Sequence, residues 1–403
     1  PELTKQGWDA GDWLRRARRE RPKIFVSNID LLFKLPLVST FPQKNRQCDQ
    51  TSITTEPQKH ASVRREIEFL APFNVSTREV EANPPLGPNQ VEITSICSLI
   101  SSGTELKIFK GTFDDAALDV NIDGMEEERM AYPLAYGYSL VGRISKCGSD
   151  VKDADLILGK LAFSFSPHSS HAIVNRESIQ IVPDGIEAHD AVFMPSVETA
   201  LSIAHDAHIR VGEKVAIFGQ GLIGLLVTSI LSLQRFAGTS GKHGTVSVFD
   251  TLPDRLAAAS VMGASEALLP SEANEAGPFD AAIEISGNAR ALQSAIDSTV
   301  SGGRVIVGSW YGNTDVSLKL GIDFHRSHKT IKTSQVSEIP AELTGLWTKE
   351  RRFGLTWEMV KQIRPSRLIT RRASLEQAQK AYEALDKGRE ISVCFDYTNH
   401  LNR

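Results

Sequence analysis

The chain has 403 residues, of which 41% are hydrophobic and 23% charged, and its formal net charge is −4. This composition is typical of a globular protein with two domains or slightly more, and it gives no electrostatic reason to expect a nucleic-acid partner. The longest apolar runs, such as residues 222–233, are shorter than the roughly 20 residues that span a bilayer, so the sequence predicts no membrane partner.

The four cysteines, Cys48, Cys97, Cys147 and Cys394, are far apart in the chain and form no C-x-x-C pair. This spacing argues against a disulfide framework and against a cysteine-rich zinc lobe. Reduced thiols predict an intracellular protein, cytoplasmic or organellar. Residues 1–62 form a predicted N-terminal extension, either a targeting sequence or a disordered or solvated linker, and no inference about the fold depends on them.

Short apolar runs separated by turn signals begin near Arg64 and continue to about residue 182. Such runs predict strands and a mostly β region, which we place at residues 63–195. The predicted strands are Glu66–Leu70, Gln90–Leu99, Leu140–Ser145, Leu161–Phe165, Ala172–Val174 and Ile179–Val182.

Strands and helices alternate in the next part of the chain, which we place at residues 196–335. Alternation of this kind predicts a parallel sheet with helices on both faces. The strands are predicted at Lys214–Phe218, Thr245–Phe249, Phe279–Ile285, Arg304–Gly308 and Lys329–Thr333, and the helices at Leu222–Leu233, Arg255–Met262 and Ala289–Thr299. The tail, residues 336–403, contains further helical segments and a last strand, Ser392–Phe395.

A glycine motif lies at the turn between the first of these strands and its helix, where residues 219–224 have the pattern G-x-G-x-x-G. Gly219 permits a tight turn, Gly221 lets the backbone approach a pyrophosphate, and Gly224 allows the helix and strand to pack closely. Leu222 and Ile223 open the helix, whose positive end attracts phosphate. The motif predicts an α/β fold with a doubly wound Rossmann domain that binds a nicotinamide dinucleotide.

Asp250 ends the second strand of this domain, and Arg255 follows it. A carboxylate there can accept hydrogen bonds from both hydroxyls of the adenosine ribose and would repel a 2′-phosphate, so NAD is predicted in preference to NADP. Asp250 follows Gly219 by 31 residues instead of about 20, and the polar insert 237–244 accounts for the difference. The alternative is that Asp250 only faces solvent.

Several stretches resemble the medium-chain dehydrogenase/reductase superfamily in the same order along the chain: residues 102–111, 137–142, 211–214 and 250–264. The resemblance implies a GroES-like, mostly β catalytic domain that is interrupted by the Rossmann domain and completed by the C-terminal residues 336–403. Pairing of two chains as a homodimer through the Rossmann domain is an expectation by analogy. Residues 135–143, 166–171 and 308–312 are similar to a zinc-lacking group that resembles the dehydrogenase of the bacteriochlorophyllide hydroxyethyl side chain.

Members of this superfamily that use zinc bind it through a Cys, a His or His-Glu, and a later Cys or Glu. Here Ser102 stands at the Cys position, Tyr138 and Ser139 replace His-Glu, and Pro195 stands at the third position. Hydroxyl groups and a proline are poor zinc ligands beside thiolate, imidazole and carboxylate. We therefore predict no zinc and no metal-binding residues.

Hydride transfer without a metal requires side-chain donors at the substrate oxygen. Tyr138 and Ser139 are the leading candidates, beside Ser102. The resemblance assigns Thr104 to the hydroxyl of the family's proton relay and Lys107 to the relay histidine, and a lysine with a lowered pKa could move a proton or hold a ribose or phosphate. The alternative is that all of these only line the pocket.

The resemblance also implies a set of residues around the nicotinamide. Thr199 matches a residue beside the ring, and Gly308, Ser309 and Trp310 match the loop that meets its carboxamide. Trp310 and Tyr311 could form an aromatic wall for a flat substrate, or they could belong to the core. His168 and His171 form an H-x-x-H pair without a third ligand nearby, which favours hydrogen-bonded loop histidines over a metal site.

These features lead to one preferred function and two alternatives. The preferred function is an oxidoreductase, independent of zinc, that interconverts a small secondary alcohol and a ketone with NAD(H). The first alternative is an NADPH-dependent reductase of enoyl or quinone substrates. The second, of a different class, is a dinucleotide-binding protein without catalytic activity.

Overall fold

The computed structural model describes residues 63–80, 85–113, 131–233 and 244–397. The predicted extension, residues 1–62, lies outside these ranges, as does most of the insert 237–244. Within the described ranges no helix is long and apolar enough to cross a membrane.

The N-terminal strands and the C-terminal strands share one mixed sheet. Its order is β14-β15-β3-β4-β5-β7, with β6 paired to β3, and β1 pairs separately with β2. Neighbouring strands are antiparallel except β14 and β15. The strands are β1 (Arg64–Ala71), β2 (Asn74–Val80), β3 (Gln90–Leu99), β4 (Leu140–Cys147), β5 (Leu161–Ser164), β6 (His171–Asn175), β7 (Ile179–Ile181), β14 (Arg371–Ala373) and β15 (Val393–Asp396).

The middle of the chain forms a six-stranded parallel sheet in the order β10-β9-β8-β11-β12-β13. Counted from its first strand, the order is 3-2-1-4-5-6, which is the order of the Rossmann fold. The strands are β8 (Val215–Phe218), β9 (Val246–Phe249), β10 (Glu266–Leu268), β11 (Phe279–Glu284), β12 (Thr299–Val307) and β13 (Thr330–Thr333). The predicted parallel sheet is confirmed.

The central strands of this sheet are buried along their whole length because helices cover both faces. All four residues of β8 and of β9 are buried, as expected for strands of a covered parallel sheet. The α-helices within the described ranges are α1 (Thr104–Lys110), α2 (Ala154–Ile157), α3 (Ala188–Ala191), α4 (Met194–Ala207), α5 (Leu222–Leu233), α6 (Pro253–Val261), α7 (Ala273–Ala276), α8 (Ala289–Asp297), α9 (Asp323–Arg326), α10 (Lys349–Ile363) and α11 (Ala378–Asp386).

Three connections position the site. Helix α1 directly follows β3 of the mixed sheet, and helix α4 leads from the mixed sheet into β8. The loop after β12 leaves the carboxyl end of the parallel sheet, where open α/β sheets bind their ligands. Strand β15 returns to pair with β3, so residues near the C-terminus contribute to the mixed sheet.

Candidate functional site

The glycine turn after β8 has the geometry that each of its glycines was expected to provide. Gly219 has φ = 101°, a conformation that side chains other than glycine rarely adopt. A Cβ on Gly224 would lie 2.0 Å from the carbonyl oxygen of Gly219, whereas a Cβ on Gly221 would meet no atom within 4 Å. The turn therefore packs tightly on its inner side and is open at Gly221. Helix α5 begins at Leu222, so its first N–H groups have no acceptor within the helix.

Asp250 is tied to this turn at the end of β9. Its Oδ2 accepts a hydrogen bond of 2.7 Å from the Gln220 N–H, and its Oδ1 accepts one of 2.9 Å from the Leu252 N–H. Arg255 Nη1 lies 3.8 Å from Oδ2. A carboxylate has about four acceptor positions, so two backbone donors leave capacity for ribose hydroxyls. The carboxylate is thus held in place by the backbone and is only 7% exposed.

Gln220 was not singled out in the sequence, although it organises the same turn. Its side chain is fully buried. It donates to the Gly219 carbonyl at 3.0 Å and accepts from the Thr228 hydroxyl at 3.0 Å. Because Thr228 lies on α5, this side chain links the glycine turn to the helix that follows it.

The loop after β12 contains the residues predicted to meet the nicotinamide. The Gly308 N–H donates to the Glu284 carbonyl at 2.9 Å, and the Ser309 hydroxyl accepts from the Gly287 N–H at 2.8 Å. The Trp310 ring is 49% exposed. This loop is therefore anchored to the end of β11, while Trp310 is left at the surface.

Tyr311 and Thr199 have partners that the sequence does not suggest. The Tyr311 hydroxyl donates to Glu284 Oε2 at 2.8 Å, and burial together with this carboxylate raises the pKa of Tyr311. The Thr199 hydroxyl donates to the Pro195 carbonyl within helix α4, at 2.9 Å. Tyr311 is thus held by a buried carboxylate, which separates its role from that of the exposed Trp310.

Tyr138 and Ser139, which stand at expected metal positions of the family, have separate hydrogen-bond partners. The Tyr138 hydroxyl donates a hydrogen bond to Ser101 Oγ, and its ring packs edge-on against Tyr136, with 6.2 Å between centroids. Tyr138 and Ser102 are half-buried. The Ser139 hydroxyl is buried and donates to the Val192 carbonyl. Tyr138 is therefore more accessible to a ligand than Ser139.

These positions do not fit a catalytic zinc ion. Their side-chain donors are the hydroxyls of Ser102, Tyr138 and Ser139, and Pro195 offers no donor atom. Zinc is held in proteins by thiolate, imidazole or carboxylate. These side chains therefore do not match the ligands of the family's metal site.

Lys107 of helix α1 contacts the loop that follows β12. Its Nζ lies 5.1 Å from the centroid of the Trp310 ring, within the range of a cation–π interaction. A Cβ on Gly312 would lie 3.1 Å from the same Nζ. Burial, and then the charge of Lys110, lowers the pKa of Lys107. Thr104 is half-buried at the first turn of the same helix.

A buried network underlies this helix. Glu105 accepts from the Ser101 N–H at 2.8 Å, from His168 Nε2 at 2.9 Å and from the Tyr382 hydroxyl. His168 Nδ1 is hydrogen-bonded to the Ser98 hydroxyl at 2.7 Å. His168 is thus a hydrogen-bonded histidine, as the sequence favours, and the His171 ring is hydrogen-bonded to Ser170 Oγ at 3.1 Å. The network fixes the loop that carries Ser101.

The chain is similar to curated dehydrogenases, although no protein-family model matches it. It is 28% identical over 236 residues to D-guloside 3-dehydrogenase of Escherichia coli K12, a match that covers 56% of this chain and 65% of that protein. It is 24% identical over 359 residues to L-threonine 3-dehydrogenase of Anaeromyxobacter sp. strain K, covering 78% and 93%. The chain thus spans somewhat less than two thirds of the first of these relatives.

Solved structures with the same fold include nicotinamide-bound dehydrogenases. A short chain alcohol dehydrogenase of Escherichia coli CFT073 complexed with NADH aligns with a TM-score of 0.65 at 16% identity, covering 83% of this chain and 99% of that one. A dehydrogenase from Sinorhizobium meliloti 1021 bound to NADP aligns with the same TM-score and coverage at 19% identity. The predicted Rossmann and GroES-like architecture is confirmed, and the relatives support an oxidoreductase with a nicotinamide cofactor.

Proposed function

We propose that this chain, a member of the medium-chain, zinc-type alcohol dehydrogenase-like superfamily, transfers hydride between NAD(H) and a secondary alcohol or ketone without a metal ion at the reacting oxygen. One observation carries the proposal: Lys107 of helix α1 lies over the ring of Trp310, and Trp310 belongs to the loop predicted to meet the nicotinamide. The predicted relay residue and the predicted cofactor loop are therefore adjacent.

The glycine turn and Asp250 support the cofactor part of the proposal. The open side of the turn at Gly221 and the N-terminus of α5 favour a pyrophosphate. Asp250, fixed by two backbone N–H groups, can accept from ribose hydroxyls and disfavours a 2′-phosphate. NAD, when bound, supplies the acceptor or donor of hydride.

In this proposal Tyr138, Thr104 and Lys107 stabilise the substrate oxygen and transfer its proton. In the proposed reaction the Tyr138 hydroxyl turns its single hydrogen from Ser101 Oγ to the substrate oxygen and accepts a hydrogen bond from the Ser101 hydroxyl instead. It then stabilises negative charge on the substrate oxygen while the carbinol C–H bond breaks. Thr104 and Lys107 carry the hydroxyl proton toward solvent, and a lysine whose pKa is lowered by burial is better suited to accept it than a fully exposed lysine. Ser102 lines the pocket, and Ser139 supports the loop through Val192.

The replacement of all three family ligands supports chemistry without zinc. The resemblance of residues 135–143, 166–171 and 308–312 to the zinc-lacking group around bacteriochlorophyllide hydroxyethyl dehydrogenase points in the same direction. Trp310 is half-exposed, and its aromatic ring could stack against a flat or cyclic substrate. The substrate class proposed is therefore a secondary alcohol on or beside a ring.

Tyr138 is also compatible with a second candidate function, that of an NADPH-dependent reductase of enoyl or quinone substrates. Tyr138 could donate to the carbonyl of an enone as well as to a ketone, and a fold neighbour is bound to NADP. Asp250 separates the two candidates, because its charge opposes a 2′-phosphate. Preference for NADPH would favour the reductase.

A substrate panel tests the proposal. The full chain is assayed with NAD and secondary alcohols, with NADH and ketones, and with NADPH and enones or quinones. We expect turnover in the first two assays, retained after treatment with a chelator. Turnover only with NADPH and enones would assign the reductase activity, and cofactor binding without turnover on the whole panel would indicate a protein without catalytic activity.

A further inference from the structure

A second cluster of chemically reactive side chains lies outside the hydride-transfer site. Cys97 on β3, Cys394 on β15 and His189 on α3 each offer a ligand atom, and these atoms all lie within 4.8 Å of one another. Both cysteines are fully buried, and His189 is half-buried. None of the three was predicted to have a functional role.

Strand register brings the two cysteines together. Strand β15 pairs antiparallel with β3 so that Cys394 is opposite Leu99 and Asp396 is opposite Cys97. Side chains alternate along a strand, so Cys97, Cys394 and Asp396 point to one face of the sheet. Helix α3 covers this face, since the Cys97 thiol contacts the Ala188 carbonyl at 3.4 Å.

His189 completes the cluster with a buried nitrogen that lacks a hydrogen bond. Its Nε2 is inaccessible and makes no hydrogen bond of acceptable geometry. Asp396 Oδ2 lies 3.5 Å from this nitrogen. A buried polar atom without a partner costs free energy. This arrangement therefore calls for a ligand that Nε2, the two thiols and the carboxylate can share.

A disulfide explains the cluster less well. Cys97 and Cys394 are diagonal neighbours across the two strands, and such neighbours have Cα atoms about 7–8 Å apart. Disulfides connect Cα atoms at roughly 4.4–6.8 Å, so closing one here would require backbone movement. A disulfide would also leave His189 Nε2 without a partner.

We propose that Cys97, Cys394, His189 and Asp396 bind one zinc ion as a structural site. Binding forms two Zn–S bonds, one Zn–N bond and one Zn–O bond, and it releases the two thiol protons to solvent. Tetrahedral geometry with Zn–S of about 2.3 Å places two sulfurs about 3.8 Å apart. The ligand atoms of Cys97, Cys394 and His189 lie within 4.8 Å of one another, and Asp396 Oδ2 lies 3.5 Å from His189 Nε2, so these side chains must move inward to reach the zinc distances.

The surrounding charges suit this ion. Two thiolates and one carboxylate around Zn²⁺ give a net charge of −1, and Arg372 Nη1 lies 3.6 Å from Asp396. The guanidinium therefore neutralises the occupied site. Both cysteines are sealed from solvent, which leaves no open position for a substrate, as in structural zinc sites. The site ties β3, β15 and α3 together and is independent of the metal-free reaction proposed at Tyr138.

Metal content and cobalt spectroscopy test the proposal on the full chain. The protein is stripped with a chelator, incubated with Zn²⁺ or Co²⁺ under reducing conditions, freed of excess metal and analysed. We expect about one zinc per chain, and with Co²⁺ the charge-transfer absorption of thiolate ligands. Cys97→Ser, Cys394→Ser and His189→Ala should each lower the zinc content at least tenfold, whereas Cys147→Ser, which changes a thiol outside the cluster, should retain it.

Three results would overturn the proposal. The first is a wild-type chain that retains no zinc or cobalt. The second is a purified chain whose mass is two hydrogens below that of the reduced chain, with Cys97 and Cys394 found in one disulfide-linked peptide pair after proteolysis. The third is thiolate–cobalt absorption that persists in Cys97→Ser and Cys394→Ser. Because the first two are measured on the wild-type chain, misfolding of a variant cannot rescue or defeat the proposal.

Discussion

The Tyr138 hydroxyl donates a hydrogen bond to the Ser101 hydroxyl. The resemblance to the medium-chain superfamily places Tyr138 at a position where its zinc-dependent members bind their metal, and Ser101 directly precedes Ser102, which stands at another such position. When the direction of this hydrogen bond reverses, the phenol accepts from Ser101 and can donate its single hydrogen to a substrate oxygen. The relationship therefore gives the metal-free reaction a specific residue to test.

Tyr138→Phe should lower kcat about 100-fold, because it removes the donor at the reacting oxygen. The dissociation constant for NADH should change less than about twofold, since the cofactor contacts proposed here lie elsewhere. Steady-state kinetics and a fluorescence titration measure the two quantities. An unchanged kcat would remove Tyr138 from the role proposed for it.

Ser139→Ala is the matched comparison for this variant. The Ser139 hydroxyl is buried and bonded to the Val192 carbonyl, so its loss should reduce the free energy of unfolding by about 1 kcal/mol. Its kcat should fall much less than that of Tyr138→Phe. Urea unfolding and the same kinetic assay would check this, and a loss of kcat equal to that of Tyr138→Phe would return Ser139 to the catalytic set.

Asp250→Asn should relax the choice between the two dinucleotides. Loss of hydrogen bonds from a charged acceptor, worth about 1.5–3 kcal/mol, predicts about 10- to 100-fold weaker NADH binding, while NADPH binding should hold or improve. Asn keeps one acceptor for the backbone donors Gln220 and Leu252. The exposed Asp254 provides the control, because Asp254→Asn should leave selectivity unchanged. Equal selectivity in Asp250→Asn and the wild type would exclude Asp250 as the determinant.

Lys107 should produce a pH dependence in alcohol oxidation. Burial and the charge of Lys110 lower its pKa from the ordinary 10.5, and the neutral amine is the form that accepts a proton. The rate should therefore rise with pH and level off as Lys107 deprotonates. Lys110→Gln removes the repulsion, raises the pKa of Lys107 and should shift this limb to higher pH. Lys107→Met should abolish the limb, and a pH–rate profile that is identical in all three proteins would contradict the role.

The network beneath α1 should contribute mainly to stability. Glu105→Ala leaves the Ser101 N–H, His168 and Tyr382 without their acceptor in a fully buried place, which should cost about 3–5 kcal/mol of unfolding free energy. The exposed ion pair of Glu376 with Arg65 gives a control, since Glu376→Ala should cost less than about 1 kcal/mol. Similar losses in the two variants, measured in urea, would contradict the account of the network.

Local patterns were sufficient to predict the Rossmann sheet and its glycine turn. A buried strand, a glycine turn and an apolar helix follow each other directly at residues 215–233, so the pattern and the structure coincide there. Helix α4 was not predicted, because most of its residues are buried, including the polar Glu198, Ser202 and Asp206, so its polar residues do not mark a solvent-exposed face. Strand β10 has three residues, none of them fully buried, and carries no periodic signal.

Long-range contacts were beyond the reach of sequence spacing. The contact of Cys97 with Cys394 depends on the register of β3 and β15. The partner of Tyr138 was missed for a related reason, since Ser101 lies outside the motif that is matched at residues 102–111. The burial of Asp250 by Gln220 likewise results from how two strands end together. Residue types therefore suggested the chemistry, and packing decided which of them meet.

Parallel titration of the full chain with NADH and NADPH, before and after treatment with a chelator, measures both the choice of cofactor and its dependence on metal. We expect one NADH per chain, bound more tightly than NADPH, with an affinity that the chelator leaves unchanged. A chain that binds neither dinucleotide, or that binds NADPH more tightly than NADH, would contradict this expectation.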